Sequence, residues 1–125
     1  MTNAPLRLIP ASGRGEFETA ERCHITELLN DPSVGAVSLA RARVEPGVTT
    51  QLHALDVREI YVVLDGAGEV DSGDGAPALT VGPGDAVEIP AGTAQRIRNT
   101  GTTDLVFLCL CLPRFRPEGY TALAD

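Results

Sequence analysis

Short runs of alternating apolar and polar residues follow one another along most of this chain, and glycine, proline, asparagine or aspartate breaks them every ~8–12 positions. The alternation that organises the rest lies between Gly47 and Gly66. If that stretch is extended, His53, Leu55, Glu59, Tyr61 and Val63 share a face, because successive strand side chains point to opposite sides, and a tight turn between Ala54 and Arg58 preserves the parity. A histidine and a carboxylate then look into one interior. Downstream, Gln95, Ile97 and Asn99 share a face in the same way, and the two stretches together predict that His53, Glu59 and Gln95 converge.

The remaining pattern supplies a sheet to carry them. Residues 1–14 read as a lead-in with one short strand at Leu6 to Ile9, and residues 16–29 lean towards a strand because Ile25 and Thr26 are β-branched. Asn30 to Ser33 has turn chemistry. Strands are then expected at 35–44, 59–64, 69–72, 78–81, 86–89 and 95–99. Leu105 to Leu112 is the most continuously apolar run and reads as a strand buried on both faces. Pro113 stops it, leaving a tail in which Phe115 and Tyr120 pack back on the body. About eight short strands with no 3.6-residue stripe predict an all-β antiparallel sandwich or barrel, and 125 residues suit one domain.

Composition narrows the function more than the fold. A formal charge of -7 argues against nucleic acid or an anionic membrane as partner, and the chain contains no apolar run near the ~20 residues that span a bilayer. Without a signal-peptide pattern at the N-terminus, and with three cysteines in no framework spacing, the expected location is cytoplasmic with reduced thiols. Aromatic residues are only 4% of the chain, so Val, Leu, Ile and Ala must build the core. On the 35–44 strand, Arg41 and Arg43 share a face; outward they are solvated or interface charges, inward they could hold an anion. His24 and the three thiols read as surface or core filler.

The two organising stretches resemble the paired motifs of the cupin superfamily. Gly47, His53, Glu59 and Gly66 stand at the first motif's intervals, with Leu55 where its second histidine belongs. Gly84, Pro90, Gly92 and Asn99 stand at the second motif's, with Gln95 in place of its histidine. The resemblance covers residues 35–112 and implies a conical jelly-roll barrel, an antiparallel double-stranded β-helix often found as a homodimer, with its site inside the wide end. It also implies a divalent metal (Zn, Mn, Fe or Ni) on His53, Glu59 and Gln95, and a small polar, anionic or sugar-like ligand.

One imidazole, one carboxylate and one neutral amide make a poor metal set, since catalytic metals usually hold at least three strong protein donors. Two readings therefore stand side by side at this stage. In one, a weakly bound metal assists an isomerase, epimerase or lyase, with His53 or Glu59 moving a proton and Tyr61 orienting substrate or acting as acid. In the other, the same side chains hydrogen-bond one another and the barrel is a metal-free, non-catalytic ligand-binding module.

Overall fold

Alternation along the chain becomes pairing in space: a computed structural model, describing residues 4–124, contains eleven strands, every pair of them antiparallel. Residues 1–3 of the lead-in and 125 of the tail lie outside the described residues. The strands are β1 (Phe17–Glu18), β2 (His24–Leu29), β3 (Ser38–Val44), β4 (His53–Leu55), β5 (Arg58–Asp65), β6 (Gly68–Asp71), β7 (Leu79–Val81), β8 (Ala86–Ile89), β9 (Arg96–Asn99), β10 (Leu105–Leu112) and β11 (Tyr120–Ala122). One wall is a six-stranded sheet in the order β1-β2-β3-β10-β5-β8. The other combines β7-β6-β9 with β11-β4, stitched together by bridges at Thr49–Arg98 and His53–Gln95. Among the described residues the only helical turns are two 3-10 turns, so the jelly-roll expectation is met.

The inner faces follow the parity of the sequence. Only Asp56 and Val57 separate β4 from β5, so the turn keeps the phase, and His53, Leu55, Glu59, Tyr61 and Val63 are all buried. Opposite them on β10, Phe107 pairs with Val63, Cys109 with Tyr61 and Cys111 with Glu59. Val44, Ile97, Leu105 and Phe107 are almost wholly enclosed, and each such side chain contributes about 1.5–3 kcal/mol through removal from water.

Two motif glycines hold the ends of these strands. Gly66 turns β5 into β6 at φ 88°, and a Cβ there would sit 2.7 Å from the Asp104 carbonyl oxygen, so no other residue fits without moving the β10 entry. Gly92, at φ 81°, donates its N–H to the Leu55 carbonyl at 2.7 Å, which ties the turn before Gln95 to the end of β4. Asn99 clamps a third turn: its amide donates to the carbonyls of Val44 and Thr103, and its oxygen accepts from Gly101 N–H.

Three expectations need correction. Leu6 to Ile9 forms no strand, and Leu6 and Leu8 are exposed, because an apolar pattern becomes a strand only where a sheet edge pairs with it. The β10 strand is not sealed on both sides: Leu105, Phe107 and Cys111 on the inner face are buried and Cys109 half-buried, whereas on the outer face only Val106 is buried, Leu108 and Leu110 are half-buried and Leu112 is exposed. The tail does more than pack back, since Tyr120–Ala122 pairs residue for residue with Leu55–His53.

Candidate functional site

Between the walls lies a cavity of about 150 Å³, formed by β2, β3, β10 and β5 on one side and β4 with the tail on the other. Its walls are mainly apolar; His53, Glu59 and Tyr120 from the strands and Glu21 from the loop before β2 bring polar groups to it, Thr19, Glu27, Asn30, Ser38 and Thr50 also line it, and Tyr61 adds its ring. This pattern of an apolar hollow with a few aimed polar groups is that of a small-molecule site.

Gln95 is the hub behind those groups. Its bridge to His53 is made by both backbones, His53 N–H donating to Gln95 C=O at 3.1 Å and Gln95 N–H to His53 C=O at 2.8 Å. The side-chain nitrogen lies 2.9 Å from His53 Nε2 and donates to Glu59 Oε1 at 2.8 Å, while the side-chain oxygen accepts from the Tyr61 hydroxyl. The imidazole fixes which way the amide points. His53 Nδ1 lies 2.7 Å from the Gln51 carbonyl oxygen and must carry the proton to donate there, so Nε2 is an acceptor and the amide NH2 faces it. His53, Glu59 and Gln95 therefore converge as the sequence predicts, and among the described residues no buried side-chain nitrogen or oxygen lacks a partner.

Two members of the site escaped the sequence. Glu21 places Oε2 3.5 Å from His53 Nδ1. Tyr120 lies flat on the imidazole, with ring centroids 4.7 Å apart and planes 14° from parallel, and its hydroxyl donates to Gln51 Oε1 at 2.8 Å with Glu21 Oε2 in longer contact at 3.4 Å. Neither belongs to a motif: Glu21 falls in the 16–29 segment that leans towards a strand, and Tyr120 in the tail. The one available signal was the placement of an apolar-bodied tyrosine just beyond Pro117 in a tail already expected to return to the body.

Burial sets the electrostatics. Loss of water, reinforced by the neighbouring Glu21 charge, pushes the Glu59 carboxyl up to about 8, against the opposing pull of its hydrogen bonds from Gln95 and Cys111. Glu21 is likewise raised, chiefly by burial, although the adjacent His53 opposes the shift. Glu59 is therefore mostly protonated at neutral pH, with Oε1 occupied by Gln95 and Oε2 touched only by the Cys111 thiol at 3.9 Å. Tyr61 is raised well above the usual phenol range by complete burial, and its hydroxyl is committed to Gln95, which makes it a positioning residue.

The other singled-out residues lie elsewhere or are inert. Arg41 and Arg43 point outward, Arg43 binding Glu16 and Asp104, and His24 lies among Glu18 and Glu45. Arg96 and Arg98 pair with Asp71 and Glu69 on the outside of β9. All three cysteines line the cavity with free thiols, and burial raises each of them, Cys23 and Cys111 to about 12, so none is a ready thiolate.

A divalent cation does not fit this donor set as arranged. The position between His53 Nε2 and Glu59 Oε1 is taken by an amide nitrogen whose two hydrogens satisfy both, and an amide NH2 has no lone pair to give a metal. Turning the amide would leave two acceptors facing each other at His53 and unseat the Tyr61 hydroxyl. Leu55 offers nothing, and among the described residues no three His, Cys, Asp or Glu side chains are grouped as ligands.

Comparison with known proteins agrees with the architecture. The family described as Cupin domain matches residues 40–111. An oxalate-binding protein of Thermotoga maritima is 32% identical over 102 residues, covering 80% of this chain and 78% of that protein. Among solved structures, the polyketide cyclase RemF of Streptomyces resistomycificus superposes with a TM-score of 0.79 at 19% identity, over 97% of this chain and 87% of its own. A nucleoside dehydratase superposes with a TM-score of 0.78 at 15% identity, over 96% and 92% of the two chains. At those identities the two structures speak for the fold.

Proposed function

Since the chain belongs to the cupin family, we propose that its barrel binds a small organic molecule and moves a proton on it without a metal, as an isomerase or lyase does. The observation that carries this reading is the pair of carboxyls raised by burial, Glu59 and Glu21, set on an apolar cavity with His53 beside Glu21 and linked to Glu59 through the Gln95 amide. Pairs of titratable groups with shifted proton affinities in a cavity are the usual equipment for acid–base work near neutral pH.

In this scheme Glu59, protonated at neutral pH, hands its proton from Oε2 to a substrate carbonyl or hydroxyl oxygen. Glu21, in its carboxylate form, takes the proton from the adjacent carbon, and the electron pair of that C–H bond becomes the new double bond. If the oxygen is a carbonyl, the product is the enol; if it is a hydroxyl, the C–O bond breaks and water leaves. Glu21 gains the proton that Glu59 loses, and exchange with water at the mouth resets both. His53, pinned by the Gln51 carbonyl and the Gln95 amide and covered by Tyr120, lies 3.5 Å from Glu21 and keeps that carboxyl in register.

The relative named for oxalate binding suggests a dianionic ligand, but the cavity argues otherwise, because its charged groups are carboxyls and none of the ten arginines lines it. Deuterium wash-in tests the proposal. Cavity-sized ketones are incubated with the protein in D2O containing a chelator, and exchange beside the carbonyl is followed by NMR. Exchange that disappears in Glu59→Gln and in Glu21→Gln is expected; exchange that needs added metal, or that survives both substitutions, contradicts it.

A further inference from the structure

The chain contains two Tyr, three Phe and no Trp, and every one of these five rings lines the same cavity. The buried cluster that backs the cavity is otherwise aliphatic, with Val44, Val63, Val70, Val81, Val87, Ile89, Ile97 and Leu105 beside only two rings, Tyr61 and Phe107. The rings are also arranged around the hollow rather than against one another in a single stack. Phe107 and Tyr61 form a tilted pair on the six-stranded wall, with centroids 4.7 Å apart and planes at 54°, and Tyr120 with the His53 ring forms the opposite side. Phe17 and Phe115 come from the edge strand β1 and the start of the tail. Phe115 is held by its backbone, its N–H donating to Ser38 Oγ at 2.8 Å and its C=O accepting from Asn30 at 2.9 Å.

The free volume matches. A hollow of about 150 Å³ is the size that takes one benzene ring in an apolar protein cavity. Facing rings prefer a flat partner through edge and face contacts over a saturated body of equal size. The charge pattern selects again, because the cavity carries carboxyls and no Arg, and the chain has no lysine. A carboxylate or phosphate on the ligand would find no arginine or lysine to pair with among these acidic groups, whereas a hydroxyl or carbonyl would find Glu59 Oε2 and Glu21 within the same walls.

From this juxtaposition we propose that the ligand class is a neutral, single-ring aromatic bearing a hydroxyl or carbonyl group, seated between the Tyr61–Phe107 wall and the His53–Tyr120 stack. The inference rests on the cavity reading proposed above and deepens it. It places the polar substituent at the end of the cavity where Glu59 and Cys111 meet, and the ring edge towards Phe115 and Phe17.

Calorimetric titration of the whole chain, with chelator at neutral pH, tests it with phenol, cyclohexanol and benzoate as probes. Phenol should bind about tenfold tighter than cyclohexanol, the effect of one or two ring contacts, and benzoate should bind more weakly than phenol. Phe115→Leu, which keeps apolar bulk at the rim, should lower phenol affinity and leave cyclohexanol unchanged. Equal binding of phenol and cyclohexanol overturns the aromatic assignment while leaving the cavity reading standing, and benzoate as tight as phenol overturns the requirement for a neutral ligand. Phenol binding that ignores both Phe115→Leu and His53→Ala lies outside this cavity and overturns the assignment. Failure of all three probes to bind overturns this inference and the small-molecule reading together.

Discussion

Replacing Gln95 with leucine removes the hub of the site while keeping its bulk. The amide donates towards His53 Nε2 and to Glu59 Oε1, and accepts from the Tyr61 hydroxyl, so three buried groups lose a partner at once. A buried polar group left unpaired costs about 1–3 kcal/mol. His53 and Glu59 border the cavity and can recover water there, whereas Tyr61 is fully enclosed around its hydroxyl, so the three losses are unequal. The sum comes to about 3–5 kcal/mol, a large share of the ~5–15 kcal/mol that holds a domain of this size together. Urea unfolding at neutral pH with chelator reads it directly, and a double-mutant cycle with Tyr61→Phe isolates the mechanism. Alone, Tyr61→Phe should cost about 1–2 kcal/mol, because it strands only the Gln95 oxygen. In the Gln95→Leu background it should cost nothing or stabilise, since it then deletes a hydroxyl that has no partner. A loss below about 1 kcal/mol for Gln95→Leu, or simple additivity in the cycle, would refute the hub.

Other consequences are testable with the same protein. Because the folded-state proton affinity of Glu59 is raised from 4.5 to about 8, the native state binds more protons than the unfolded chain between those values, so stability is highest at the acid end of that window and falls as pH rises through it. The ceiling of the fall is about 4 kcal/mol; Glu59→Gln should remove most of the slope in unfolding midpoints from pH 5 to 9, leaving a residue of the same sign from Glu21. Tyr120→Ala should cost about 2–4 kcal/mol in thermal unfolding, since it loses the stack on His53, the bond to Gln51 and the longer contact with Glu21; an effect within experimental error would mean the tail is not part of the site. Restoring both histidines, Leu55→His with Gln95→His, should produce one bound divalent ion per chain by elemental analysis, and a double variant as metal-poor as the parent would show that the amide is not what excludes it.

How much of this the sequence could show follows from how local each determinant is. Strand parity is local, so the shared face of His53, Leu55, Glu59, Tyr61 and Val63 could be counted residue by residue, and the two-residue turn left the count intact. The motif glycines were legible because their backbone needs are also local, as at Gly66 and Gly92. Glu21 and Tyr120 were not, since each reaches His53 only through tertiary packing, Tyr120 by way of a tail strand whose partner β4 is more than sixty residues away in sequence. The strand expected at Leu6 to Ile9 failed for the complementary reason: its pattern is adequate, but no sheet edge takes it up. The chemistry of Gln95 was half legible. Its identity and its inward position followed from the motif spacing, but whether its oxygen or its nitrogen faces His53 depends on the Gln51 carbonyl, which no spacing rule could supply.

The claim on which the account turns is that an amide nitrogen fills the place between His53 and Glu59. Elemental analysis of the wild-type chain, purified without chelator and then dialysed against Zn, Mn, Fe and Ni in turn, measures this most directly. The account predicts metal far below one ion per chain in every case, with folding unchanged by chelator. One tightly held ion per chain that is lost in His53→Ala or Gln95→Leu would contradict it.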